Sequence, residues 1–149
     1  MKRFEFPLES VLRLRRFAEA EARQALQEAV ARRNSAEDAL QRTRRQIADA
    51  TARLAGGMSA MRAAEVVNSW RELDLLAETA LKQEAILAEC ERDVAAKREA
   101  WVAAQQERKP LERLREEMHQ SHQEDVERAE QVVTDEVAII GFSRREKAP

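Results

Sequence analysis

The sequence predicts an all-helical fold, a long antiparallel two-helix coiled-coil hairpin. Three observations carry this reading. The chain of 149 residues holds only 3 Gly and 3 Pro, too few for a globular fold with many turns. Charged residues reach 36%, against about 25% in an average chain. Apolar residues recur every seven positions through long stretches free of Gly and Pro. Aromatics at 4% argue against a thick core, and much of the 44% hydrophobic content is alanine, which favours helix but buries little area.

The first arm spans about residues 7–55. Pro7 suits the first turn of a helix, where its missing N–H is no loss. One heptad row reads Leu12, Glu19, Leu26, Arg33, Leu40, Ile47, Leu54. Its companion reads Leu8, Arg15, Ala22, Ala29, Ala36, Thr43, Ala50. The first row is large and apolar from Leu26 onward except at Arg33, and the second is small, a combination that lets two helices approach closely. Arg15 and Glu19 make this seam polar near the N-terminus.

The reversal falls within about residues 55–70. Gly56 and Gly57 each cost a helix about 1 kcal/mol and are suited to the positive φ of a C-cap. Ser59 and Ser69 are candidate N-caps, and Ser69 is followed by Glu72 in capping-box spacing. Ala60 to Val67 reads as either a short helix or a frayed extension.

The second arm spans about residues 70–140. One row is Leu73, Ala80, Leu87, Val94, Trp101. The other is Leu76, Gln83, Cys90, Lys97, Ala104, Leu111, Met118, Asp125, Val132, Ile139. Pro110 is a candidate kink, because proline removes a helix hydrogen bond. Beyond Arg108 the apolar pattern moves to Leu114 rather than Arg115. Gly141 reads as a C-cap and residues 141–149 as a loose tail. The whole of residues 1–149 reads as one coiled-coil domain.

At 1.5 Å per residue the arms are about 70 and about 105 Å long. A short connection makes them antiparallel, so the second arm overhangs near Ser121 to Ile140. Residues 1–55 carry 12 Lys and Arg against 8 Asp and Glu, whereas residues 72–140 carry 9 against 18. Arms of opposite sign favour pairing with each other.

Composition also excludes classes. A net charge of −2 is no polyanion-binding signature. No run approaches 18 apolar residues, so no membrane span is expected. The start, Met1 to Pro7, has no apolar core of a secretory signal. The lone Cys90 allows no internal disulfide, which fits a reducing, cytoplasmic setting.

No catalytic constellation is found, so no enzyme and no cofactor are expected. Gly56-Gly57 lacks the Lys-Ser/Thr of a phosphate loop, and there is no G-x-S-x-G elbow. His119 and His122, with Glu116 nearby, have a spacing that could hold a metal; a solvated helix face is the plainer account, and no metal site is assigned. Cys90 and Trp101 read as seam residues. The acidic run from Glu124 to Glu136 reads as a solvated face.

Two features exceed what a hairpin needs. Trp70, at the start of the second arm, is either tip packing or a partner hot spot. Arg13, Arg15 and Arg16, with Leu8, Val11, Leu12, Leu14 and Phe17, make a helix apolar and basic almost all round, where a two-helix seam needs one stripe. The surplus points either to insertion into a partner or to local packing against the overhang.

The opening Phe4-x-Phe6-x-Leu8-Glu9-x-Val11-Leu12-x-Leu14-Arg15 resembles that of the flagellar type III export protein family FliJ. Pro110-Leu111-Glu112-Arg113-Leu114-Arg115-Glu116 resembles its mid-arm segment, and Asp135-Glu136-x-Ala138-x-x-x-Phe142-x-Arg144 its end. The resemblance covers nearly the whole chain; Pro110 and the alanine-rich row depart from the family's pattern.

The resemblance implies an antiparallel hairpin similar to the stalk subunit of rotary ATPases. It implies three partners: the hexameric export ATPase FliI, the export gate protein FlhA, and export chaperones. The ATPase-ring contact would be Leu8, Val11, Leu12, Arg13, Arg15, Arg16 and Phe17, with the C-terminal overhang. The gate contact would be Trp70, Leu73, Ala77 and Ala80. The protein would act in the cytoplasm at the inner face of the export apparatus, meeting the membrane only through partners. Three alternatives stay open: the stalk protein of a virulence-type secretion system, a passive structural coiled coil, and a nucleic-acid binder, which the acidic second arm disfavours.

Overall fold

The computed structural model describes residues 3–57 and 59–147. Two helices, α1 (Glu9–Gly57) and α2 (Ala63–Glu146), pack against each other as a hairpin, and no strand occurs among the described residues. Two compact units can be distinguished: Met1–Glu19 with Ala104–Pro149, and Ala20–Ala103.

In the second of these, heptad periodicity governs burial. Ala29, Leu40, Thr43, Ala50 and Leu54 of α1 are buried, as is Ala80 of α2. Leu26, Leu73, Leu76, Leu87 and Val94 are half-buried on the same seam. Small side chains alternate with leucine along this seam, a pattern that lets two helices approach closely. Thr43 tolerates burial because its hydroxyl donates to the Ala39 carbonyl at 3.2 Å. Ion pairs flank the seam: Arg32–Asp93 at 3.1 Å, Arg44–Glu84 at 3.2 Å and Arg53–Glu72 at 3.9 Å. Partner numbers rise on α1 as they fall on α2, the signature of antiparallel helices. Arg33, the polar exception in its row, turns its guanidinium to Glu37 at 2.9 Å and Glu91 at 3.7 Å.

The turn is tighter than the sequence predicts. α1 ends at Gly57, where the sequence places the stop, but it includes both Gly56 and Gly57 and no described glycine has positive φ, so the pair is not the expected left-handed C-cap. α2 starts at Ala63 rather than near Trp70. The Arg62 carbonyl accepts from Glu65 N at 3.0 Å and Val66 N at 3.1 Å, while the Glu65 carboxylate accepts from Arg62 N at 3.2 Å. That reciprocal arrangement is half a capping box, made by Glu65 where the sequence pointed to Glu72. Ser69 lies inside the helix and donates to the Glu65 carbonyl at 3.0 Å. An alanine-rich start with its own acidic cap needs no serine to begin.

Two further expectations change. α2 runs through Gly141 to Glu146, so the segment after Ile140 is helical up to that point rather than a loose tail; Ala148 and Pro149 lie outside the described residues. α2 is also continuous through Pro110. Pro110 is exposed, so water can satisfy the Gln106 carbonyl that loses its donor.

Candidate interaction surfaces

In the unit formed by Met1–Glu19 and Ala104–Pro149, the seam changes character. Leu12 is its anchor, fully buried, and Leu111 is half-buried. Around them the heptad positions are charged. Arg108 pairs with Glu19, and Arg115 with Glu9 at 3.1 Å. Arg16 grips Glu112 with two bonds, at 2.6 and 2.9 Å, and Arg108 approaches the same carboxylate at 3.8 Å. Arg15 meets Glu107 at 2.6 Å.

The row Trp101, Arg108, Arg115, His122 therefore keeps its seven-residue spacing, with all four half-buried, while Leu114 is exposed. The expected move to Leu114 does not occur. Arginine stems cover the seam while their heads pair at its edge, a substitution that apolarity alone does not reveal.

Electrostatics follow the geometry. The bidentate bond from Arg16 holds the Glu112 carboxyl below its ordinary range, with Arg108 and Arg115 adding to the effect. The same bond raises Arg16. Each exposed pair is worth well under about 1 kcal/mol, but Arg16, Glu112, Arg108 and Glu19 form one connected network.

The N-terminal segment is anchored by aromatics. Phe6 is buried, and Phe4 meets His119 edge-on at 4.9 Å and His122 at 5.7 Å. The two histidines are thus half-buried packing partners rather than a solvated face. Among the described residues, no three His, Cys, Asp or Glu are placed to hold a metal ion.

The residues singled out for a ring contact divide into two groups. Leu12, Arg15 and Arg16 hold α1 to α2. Leu8, Val11, Leu14 and Phe17 are exposed, the last two at 68% and 63%, and Arg13 stands among them on the exposed surface.

The residues singled out for a gate contact, in Ala20–Ala103, divide likewise. Ala80 is buried and Leu73 half-buried in the seam, whereas Trp70 is 52% exposed and Ala77 is also exposed. Val67 and Leu81 are exposed at helical spacing from Trp70 and Ala77, completing an outer stripe of Val67, Trp70, Ala77 and Leu81. The sequence alone does not single out these two, because Val67 falls within the reversal expected over residues 55–70 and Leu81 lies off both heptad rows of the second arm. Cys90 is half-buried on the seam. Trp101 Nε1 and Gln83 Oε1 are buried without a hydrogen-bond partner.

No helix among the described residues is long and apolar enough to cross a membrane. No curated protein and no solved structure matches this chain. The family model described as "Flagellar FliJ protein" matches residues 4–147, from the aromatic anchor to the last described residue, so the chain belongs to the FliJ family and is a flagellar export-related protein.

Proposed function

We propose that this protein is a non-catalytic coiled-coil component of the flagellar type III export apparatus that binds the hexameric export ATPase through its Met1–Glu19 end and the export gate through the outer stripe around Trp70. The observation that supports this most is the family match over residues 4–147 together with apolar side chains left exposed beside an ion-paired seam. Leu8, Val11, Leu14 and Phe17 are left exposed on one short stretch of chain, an apolar surface of the kind that marks interaction sites. Arg13 among them offers a free cation to acidic loops inside a ring, while Arg15 and Arg16 support the arm that presents it. Trp70 is the kind of large exposed aromatic that anchors a partner interface. Handling of export chaperones belongs to the same proposal, as does a cytoplasmic place at the inner face of the apparatus.

The test is ATP hydrolysis by the cognate export ATPase below its hexamer-forming concentration, with and without this protein. Faster turnover, reduced by Arg13→Glu combined with Phe17→Ala while helicity is kept, is the expected result. No effect from a folded sample would move the reading toward a gate or chaperone role, or toward a passive coiled coil.

A further inference from the structure

The seam face of α2 outruns α1. Gln105, Glu112, His119 and Val126 are half-buried at seven-residue spacing, and the same row continues into Val133 and Ile140, which are exposed. From Glu127 to Lys147 every described residue is exposed, about 30 Å of helix with nothing over its apolar face. That face is Ala129, Val133, Val137 and Ile140, with the half-buried Val126 at its near end.

The spacing of these five residues is 3, 4, 4, 3, a palindrome centred on Val133. A second copy laid antiparallel about a two-fold axis at Val133 matches every apolar position with an apolar one. Val126 meets Ile140 of the other copy, Ala129 meets Val137, and Val133 meets itself. An antiparallel helix is also what this seam already accepts from α1. Charge agrees at the ends of the overlap, where Arg144 and Arg145 of one copy fall opposite residues 121–122 of the other, between the acidic pairs Glu116–Glu117 and Glu124–Asp125; nearer the axis Glu130 falls opposite Glu136. A parallel pairing would instead set every acidic residue from Glu124 to Glu136 against its own copy, where the antiparallel one opposes only Glu130 and Glu136.

We infer that the overhang is a homodimerisation surface, each copy's overhang completing the seam that the other copy's α1 is too short to cover. The inference concerns the chain alone and does not rest on the proposed ATPase or gate contacts, although the overhang is also the segment that the family resemblance places beside the ring contact, so a dimer and a ring contact there would compete.

In a Cys90→Ser background, Val133→Cys is expected to form a disulfide dimer on mild oxidation. Ile140→Cys is not, because its two copies would sit about 20 Å apart. The pair Val126→Cys with Ile140→Cys is expected to crosslink again. Sedimentation equilibrium of the unmodified chain is expected to rise from 17.1 kDa toward twice that value across the micromolar range, and Val133→Asp, at an exposed site, to return it to monomer with unchanged helicity. A monomer throughout that range overturns the proposal. So does equal crosslinking at positions 133 and 140, or a dimer that Val133→Asp leaves intact.

Discussion

Leu12 and Phe17 lie five residues apart on one helix and do opposite things. Leu12 is fully buried and Phe17 is 63% exposed, so truncation separates stability from binding. Leu12→Ala is expected to lower unfolding stability by about 2–3 kcal/mol, read by thermal or urea melts followed by circular dichroism. Phe17→Ala is expected to leave the melt within about 0.5 kcal/mol of the parent and to weaken a partner instead. With Arg13→Glu, about tenfold in apparent affinity for the export ATPase is expected, or about 1.4 kcal/mol. Arg16 belongs with Leu12 in this division. Its guanidinium is committed to Glu112, so Arg16→Glu should loosen the arm before it touches any partner. These two roles could not be separated from the sequence, since Arg13, Arg15 and Arg16 differ only in which way a helix points them.

At the scale of the element, the glycines are the informative positions. Gly56 lies in α1 without positive φ and with nothing within 4 Å of an added Cβ; at Gly57 the nearest atom is Met61 Sδ at 4.0 Å. Helical alanine therefore fits both. Gly56→Ala and Gly57→Ala are each expected to stabilise by about 0.5–1 kcal/mol, visible as a raised melting temperature. A loss of stability would show that the turn needs the glycine conformation. The helix ends were the least legible part of the sequence. Gly56-Gly57 does mark the end of α1, though without the left-handed conformation of a C-cap, whereas α2 passes straight through Gly141. A glycine is a local preference against helix of about 1 kcal/mol, and the helix on either side of Gly141 outweighs it. The Glu65 cap is hidden in the sequence because Arg62 is not a capping residue type, whereas Ser69 with Glu72 has both the residue types and the spacing of a capping box.

For the whole molecule, the distribution of charge sets the response to pH and salt. The Glu112 carboxyl is held below its ordinary value of 4.5 by the bond from Arg16. A lowered carboxylate contributes stability that is fully present above the unfolded value and is lost as pH falls through the folded one. The raised Arg16 contributes stability over all working pH and loses it only above its own folded value. Hydrogen exchange of residues 9–19, corrected for intrinsic rates, is expected to quicken below about pH 4.5, while residues 26–54, held by leucine and alanine, remain protected. Glu112→Gln should remove most of that contrast. High salt should act in the same direction but weakly, since these pairs are largely exposed.

The helical hairpin itself was determined by the sequence. Heptad rows, scarce Gly and Pro, and arms of opposite charge leave few other ways to bury Leu26, Leu40 and Leu54, because periodicity of burial is a property of the chain before it folds. Two terminal segments, Phe4 to Arg15 and Asp135 to Arg144, together with Pro110 to Glu116, likewise carry the family resemblance. What only the tertiary structure decided is the partnership of polar residues. That Arg108 turns to Glu19 and Arg115 to Glu9, that Phe4 sits between His119 and His122, and that α1 ends short of Val133 all depend on the register of one helix against the other. Register is the sum of many small contacts along both arms, and a single row of letters does not display it.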